Sequence, residues 1–422
     1  MEDLPVLAYL DRHLIYPVLD FLQQTGTYTE AEITQAKYDL LKDTNMPGHC
    51  AELYKQIHKT DEAPQEFAEK EEAIGQQLNV LESESKKVLE VLENPEVATA
   101  LRQDKAQNMT FLRDNHDISI EQINVLYKLG QFDYNRGNYV GAVDHLYHFR
   151  VLSTDQKLVT SATWGKLASE ILTANWEDAL SELTKLREYI DGENDDPIAQ
   201  LRSRTWLLHW ALFPLHNAES PKHNELQELF FTPAYMNALQ TSAPHLLRYL
   251  TVAVIAAGSP KAGNYNRRLR DLIRALEAEK VYSDPFTKFA LALYSKYDFE
   301  GASNLLNQLG QIAASDYFLS SSAEAVTSSF TVAFIEAYFR LHKTADLTTL
   351  TRLTHLTEEA LVSIINSSLE HLNADIDTED GFIEIIRDVS GAQHLHDVIQ
   401  RTKNLVERTG TLQYAMHKKL AA

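Results

Sequence analysis

Apolar residues recur along most of this chain at spacings of three and four, the period of a helix with one buried face. Between residues 4 and 22 they fall at Leu7, Leu10, Leu14, Ile15, Val18 and Leu22, which predicts a helix that Pro17 should kink or divide. A second helix is predicted over 29–41, with Thr29 as its N-cap and Glu30 and Glu32 in its first turn, where carboxylates meet unpaired N–H groups. Asn45-Met46-Pro47-Gly48 breaks the pattern. A helix over 50–58 and a linker over 60–65 follow. A long charged helix then carries Ile74, Leu78, Leu81, Val88, Leu89 and Leu92 and stops near Asn94-Pro95. Its acidic outer face reads as solvated surface.

One phrase recurs three times: an aromatic residue, Ala three positions on, and Leu four beyond that. It reads Asn138-Tyr139, Ala142, Leu146; then Asn175-Trp176, Ala179, Leu183; then Asp298-Phe299, Ala302, Leu306, the first two copies 37 residues apart. A stacked helix-turn-helix repeat is written this way. The aromatic opens the second helix of a pair, the Ala lets its partner approach, and the Leu one turn later seals the seam. Repeats are expected from about Ile118 to Ile190, then a polar linker over 191–197, then helices to about 341. Such an architecture presents surface to partners rather than enclosing a reaction.

The C-terminal third changes texture. A helix over 346–353 and a turn at His355-Leu356-Thr357 lead into a helix capped by Thr357, with Glu358 and Glu359 in its first turn. That helix carries Leu361, Ile364, Ile365, Leu369 and Leu372 on one side. Two short extended runs follow, 374–377 and 382–386, around a turn at Gly381, and an amphipathic helix runs from about 392 to the end. Helix, turn, helix and hairpin is the layout of a winged helix. The fold class expected is mainly α: a right-handed helical-repeat (TPR/HEAT-like) superhelix ending in a winged helix and a C-terminal helix. The divisions expected are 1–117 (N-terminal helices), 118–190 (TPR-like repeats), 198–341 (further repeats), 342–390 (winged helix) and 391–422 (last helix).

Composition narrows the function. A chain of 422 residues is too long for one core and long enough for two or three units. Lys and Arg number 39 against 60 Asp and Glu, a formal charge of 39 − 60 = −21. That argues against coating nucleic acid by bulk charge. The single cysteine, Cys50, allows no intrachain disulfide and fits a reducing compartment. No basic n-region of a secretory leader follows Met1. The apolar stretches 206–215 and 246–257 are too short and interrupted to span a bilayer, so they read as buried helices, and no membrane partner is expected.

The winged helix is unsuited to DNA. Between Leu353 and Ile386 there is no Lys or Arg, while Glu358, Glu359, Glu370, Asp375, Asp377, Glu379, Asp380 and Glu384 are acidic. Such a face repels phosphates, and contact with another protein, through strand addition by the wing, is expected instead. His394-Leu395-His396 starts like the zinc pattern of deubiquitinating metalloproteases, but Asn404 and Glu407 stand where Ser and Asp are needed. On a helix, i and i+2 also diverge. His145 and His148 lack a further ligand, and Cys50 beside His49 reads as a small buried hydrophobe. H-E-x-x-H, Walker A and G-x-S-x-G motifs are missing, so neither an enzyme nor a cofactor is expected. One basic cluster stands out. Arg267, Arg270 and Arg274 share a helical face by spacing, with Arg268 beside them. It could hold an RNA backbone or an acidic partner helix, or be a solvated face balanced by Asp271, Glu277 and Glu279.

Helical repeats ending in an acidic winged helix resemble the PCI domain, shared by the proteasome lid, the COP9 signalosome and eukaryotic translation initiation factor 3. Within that set, Tyr9-Leu10-Asp11-Arg12-His13-Leu14-Ile15-Tyr16-Pro17 is similar to the opening helix of the e-type subunits of initiation factor 3. Asp43-Thr44-Asn45-Met46, Tyr147-His148-Phe149-Arg150-Val151-Leu152 and Trp164-Gly165-Lys166-Leu167-Ala168-Ser169-Glu170-Ile171-Leu172 are close to phrases of that family; the stretch 60–71 departs from it. The resemblance implies a non-catalytic, cytoplasmic scaffold, with the repeat segment after 197 and the winged helix together forming the PCI domain. It implies contact with other PCI and core subunits of initiation factor 3, with subunit d, and recruitment of mRNA and initiator complex to the small ribosomal subunit. Candidates for wing packing or edge pairing are Ile376, Phe382, Ile385 and Ile386; candidates for a shared helical bundle are Leu395, Val398, Ile399, Leu405, Val406 and Leu412. A proteasome-lid or signalosome subunit is the alternative within this architecture, and an RNA-binding module using the Arg cluster is the alternative of another class. A nuclear pool stays open, because the Leu-rich first helix also has the spacing of an export signal.

Overall fold

Tyr139, Trp176 and Phe299 each open a helix. Asn138 and Asp298 cap two of these starts, accepting the N–H groups of Gly141 at 3.3 Å and Gly301 at 2.9 Å. Ala142, Ala179 and Ala302 are fully buried, and Leu146, Leu183 and Leu306 lie buried one turn on. The repeat phrase therefore marks the inner face of three helices, as the sequence predicts. The computed structural model describes residues 5–92, 94, 97, 105–192, 196–217, 220–258, 264–368, 374–377, 381–385 and 391–420. The chain divides into two compact units, Met1–Phe330 and Thr331–Ala422.

Every regular element described in the first unit is a helix. A 3-10 turn, Pro5–Tyr9, precedes α1 (Arg12–Gln24), α2 (Glu30–Leu41), α3 (Pro47–His58), α4 (Gln65–Leu92) and α5 (Lys105–His116). The repeats comprise α6 (Ile120–Arg136), α7 (Tyr139–Leu152), α8 (Gln156–Leu172), α9 (Trp176–Gly192) and α10 (Pro197–Asn217). Then come α11 (His223–Phe230), α12 (Pro233–Ser242), α13 (Leu247–Ala256), α14 (Tyr265–Ala278), α15 (Pro285–Leu291), α16 (Phe299–Ser315) and α17 (Ala323–Leu341), which runs on into the second unit. The apolar stretches 206–215 and 246–257 fall on α10 and α13 and are almost wholly buried. No helix among the described residues is long and apolar enough to cross a membrane.

Three local expectations need correction. The first helix divides at Leu10-Asp11, not at Pro17, which lies inside α1. The Asp11 carboxylate accepts the His13 N–H at 3.0 Å and the Tyr134 hydroxyl at 2.6 Å, so a tertiary contact fixes the break. The third helix starts three residues early, with Pro47 in the first turn, where a missing N–H costs nothing. Nor are Asp191 and Gly192 linker. They end α9, and Asp191 holds Arg204 of α10 at 2.8 Å while Gln200 Nε2 donates to the Ile190 carbonyl. These contacts stitch the end of α9 to α10.

Close packing in the repeats depends on missing side chains. Leu146 of α7 lies between Gly130 of α6 and Gly165 of α8; a Cβ at Gly130 would come within 2.8 Å of its side chain, and one at Gly165 within 3.0 Å. Beneath this seam Glu182 of α9 meets Arg150, Lys166 and Lys185, and Lys166 also holds Glu170 at 2.9 Å. Burial opposes the charge on Glu182, but the hydrogen bonds and charge of Arg150 outweigh it and hold the carboxyl down at about 2.

The second unit contains β1 (Thr344–Asp346), α18 (Leu347–Thr354), α19 (Glu358–Ser368), β2 (Ala374–Asp377), β3 (Phe382–Ile385) and α20 (Gly391–Leu420). Asp346 caps α18, His355 ends it in the left-handed region, and the Thr357 hydroxyl accepts the Ala360 N–H. The wing has three antiparallel strands in the order β1-β3-β2 rather than two. β1 went unforeseen because Thr-Ala-Asp has no alternation to show. It pairs Ala345 with Ile383, and β2 pairs Ile376 with the same residue from the other side.

Candidate interaction site

Strand order decides what the wing can offer. β3 is central, so its backbone is already paired on both sides and cannot add to a neighbour's sheet; β1 and β2 are the edges. Ile385 is 2% exposed and, with Ile383, belongs to the sheet's core. Ile385 therefore sits where wing packing, rather than edge pairing, would place it. Ile376 is half-buried. Phe382 is 54% exposed and stands opposite Asp346 of β1 and Asp377 of β2 in the ladder register. Ile386 lies outside the described residues, as do Leu369 and Leu372. Among the described cations, Lys343 reaches the wing and holds Glu384 at 2.6 Å.

The last helix is different in kind. Every described side chain on α20 is exposed, including Leu395, Val398, Ile399, Leu405, Val406 and Leu412. These positions repeat every seven residues: 395 continues through 402, 409 and 416, 398 through 405 and 412, and 399 through 406. That is the seam of a coiled-coil helix. Thr402 and Thr409 interrupt it, but their hydroxyls donate to the Val398 and Leu405 carbonyls at 2.7 Å and so bring no unpaired polar group to a seam. Tyr414 and Met416, 73% and 57% exposed, were missed from sequence; the seven-residue count reaches Met416 directly. The backbone of His394 and His396 is helical, and their side chains lie outside the described residues.

The arginine cluster rearranges. Arg267, Arg268 and Arg274 line a groove of about 710 Å³ with Gln240, Asn237 and Met236 on its other wall. Arg270 is not among the residues lining it and donates instead to the Asn266 carbonyl. Arg268 donates to Gln227 Oε1 at 2.7 Å, and Arg267 and Arg274 flank Asp271 at 4.0 and 3.5 Å. Helical spacing alone does not bring Arg268 to the groove; its bond to Gln227, a tertiary contact, does. Elsewhere, Cys50 is buried, which pushes its thiol up and away from reactivity. His49 bonds the Tyr16 hydroxyl at 2.8 Å. Groups of three metal-ligating side chains do not occur among the described residues.

A family model described as "eIF3 subunit 6 N terminal domain" matches residues 4–133. Relatives extend the match over nearly the whole chain. The e-type subunit of eukaryotic translation initiation factor 3 from Yarrowia lipolytica is 42% identical over 409 residues, covering 96% of each chain. That of Botryotinia fuckeliana is 42% identical over 421 residues, 98% of this chain and 92% of its own. That of Schizosaccharomyces pombe is 44% identical over 398 residues, 90% and 79%.

The chain belongs to the e-type subunit family of eukaryotic translation initiation factor 3. Membership decides between the initiation-factor reading and the lid or signalosome alternative. The phrase that carried the resemblance, residues 9–17, is also the segment that docks on the repeats. The Tyr9 hydroxyl donates to the Ser242 carbonyl, Trp210 Nε1 donates to the Tyr9 carbonyl, and His13 Nδ1 lies 3.0 Å from the Tyr139 hydroxyl. The e-type signature is thus partly a record of how the N-terminal segment folds back.

Proposed function

We propose that this subunit of initiation factor 3 is a non-catalytic scaffold. It joins other PCI and core subunits through the wing and the last helix, and helps bring mRNA and the initiator complex to the small ribosomal subunit in the cytoplasm. The observation that carries this is the seven-residue apolar repeat on α20, exposed wherever its side chains are described; a helix of this pattern is marginal alone and gains its stability from a partner helix. The acidic sequence of the wing around the exposed Phe382 favours a basic or neutral protein surface over nucleic acid. The Arg-lined groove suits a protein segment such as one from subunit d better than RNA, because Asp271 and Glu228 sit among its guanidiniums.

The test is co-purification. A tagged full chain and one ending at residue 390 are recovered at moderate salt and their partners identified by mass spectrometry. The full chain should bring down initiation-factor subunits and the shortened chain should lose most of the PCI subunits. Equal recovery by both would reject the last helix as the docking element.

A further inference from the structure

The first helices of the repeats, α6, α8 and α10, carry a second surface. Their later halves are covered by this chain's own N-terminal segment: Tyr134 binds Asp11, α1 packs on α8, and Tyr9 stacks on His209 with ring centroids 4.2 Å apart. Their earlier halves are open. There the Tyr127 hydroxyl lies 2.7 Å from Ser161 Oγ, joining α6 to α8, and Trp164 stands edge-on to Trp206 at 6.5 Å, joining α8 to α10. Trp206 is 41% exposed and Ile198, two turns before it on the same stripe, is 59% exposed.

Charge on this row runs against the chain. Lys128 beside Tyr127, Lys157 one turn before Ser161 and Arg202 one turn before Trp206 are all solvent-accessible. None of the three forms an ion pair among the described residues. In a protein of net charge −21, three unpaired cations interleaved with Tyr, Trp and Ile form a local positive and aromatic strip. The nearest described acids stay at helix starts: Asp155 accepts the N–H of Lys157 as an N-cap, Glu121 lies in the first turn of α6, and the exposed Asp196 precedes α10.

We infer that this strip docks an acidic segment of another protein that carries a large apolar side chain. The covered half of the same row supplies the pattern: an aromatic ring and a carboxylate two residues apart, Tyr9 and Asp11, are what it already binds. Tyr, Trp and Arg are the residue types that anchor protein interfaces. RNA is disfavoured because three cations release few counterions against the chain's overall negative field. This goes beyond the wing and last helix, and uses the scaffold reading only to supply the assembly in which it is tested.

The experiment is photo-crosslinking in the assembled factor. The full chain carrying Ile198→p-benzoylphenylalanine is purified with its complex and irradiated, and the linked peptide is sequenced by mass spectrometry. The expected product is an acidic segment of another protein. Adding Lys157→Glu with Arg202→Glu should lower its yield at least tenfold, with the melting temperature and subunit composition unchanged. Cross-links to RNA, to this chain alone or to nothing, or a yield indifferent to charge reversal, would overturn the inference. Unchanged subunit composition in those cases would leave the scaffold reading intact, so the two failures are distinguishable.

Discussion

His209 Nε2 and His245 Nε2 lie 2.7 Å apart, a separation that one shared proton bridges and two protons would force open. His209 Nδ1 is 2.7 Å from the Thr205 carbonyl, so it carries hydrogen and His245 donates through Nε2. Burial holds both imidazoles neutral, His209 at about 3 and His245 at about 4, with Arg248 adding to the effect on His245. The unfolded chain takes up these protons below about pH 6.5 and the folded chain does not. Stability is therefore fully present above that pH and falls as pH drops toward 4. At pH 5 the loss should be about 2 kcal/mol per imidazole. Urea midpoints from pH 7.5 to 5 should show this slope, and His245→Asn should flatten it. A midpoint independent of pH over that range would contradict the neutral pair.

Glu182 should be the most sensitive charge in the repeats. It is 2% exposed and faces Arg150, Lys166 and Lys185, so Glu182→Gln leaves buried cations without their common counterion. Breaking a buried pair in this way costs about 3–5 kcal/mol. Arg150→Met should cost less, because Lys166 and Lys185 remain on the carboxylate. The pH dependence has the opposite origin to that of the histidines but the same sign. A carboxyl held at about 2 contributes stability above the unfolded value of about 4.3 and loses it as pH falls below that. Denaturant melts of the two variants, ranked at pH 7, check the order.

Leu146 is crowded from two sides by glycines on different helices, which predicts non-additivity. Gly130→Ala and Gly165→Ala would each gain about 1 kcal/mol of helix propensity if space allowed. Each new methyl instead meets the Leu146 side chain, at 2.8 and 3.0 Å. One substitution can be met by a shift of Leu146 toward the other glycine; both together close that exit. Single variants should be destabilised modestly and the double variant by more than their sum, with a coupling of about 1 kcal/mol or more. A double-mutant cycle by thermal or urea unfolding measures it, and strict additivity would mean Leu146 has room the packing does not indicate.

Much of this was legible because local rules and tertiary structure agree. Tyr139, Ala142 and Leu146 encode a helix start, a close approach and a seam in eight residues, and Thr29 with Glu32 forms the capping box its spacing announces. The misses share a cause. The break at Asp11 depends on Tyr134, 123 residues away; the division of the arginines depends on Gln227, 41 residues from Arg268; β1 exists because β3 pairs with it. Each is decided by a partner distant in sequence, which periodicity cannot register. The wing shows a related limit: alternation already puts Phe382 and Ile385 on opposite faces of β3, but which face is covered is decided by elements elsewhere in the chain.

The last helix offers the sharpest separation of folding from assembly. Leu405 and Val406 are 63% and 66% exposed, so Leu405→Glu with Val406→Glu removes no burial from the isolated subunit, and its melting temperature should stay unchanged. In the assembly the same side chains are proposed to enter a shared seam, where burying each is worth about 1.5–3 kcal/mol. Losing both, with two carboxylates in their place, should weaken incorporation at least a hundredfold. Thr402→Val and Thr409→Val probe the seam from the other direction. Both hydroxyls are bonded to their own helix, so replacing them with methyl groups leaves no orphaned partner in solvent and adds apolar surface to the seam. They should tighten incorporation, and competition between tagged variants for a limiting pool of the other subunits would reveal the order: valine variants, then native, then glutamate variants. If the native chain and the glutamate variant compete equally, the seven-residue row is surface decoration and the docking end lies elsewhere.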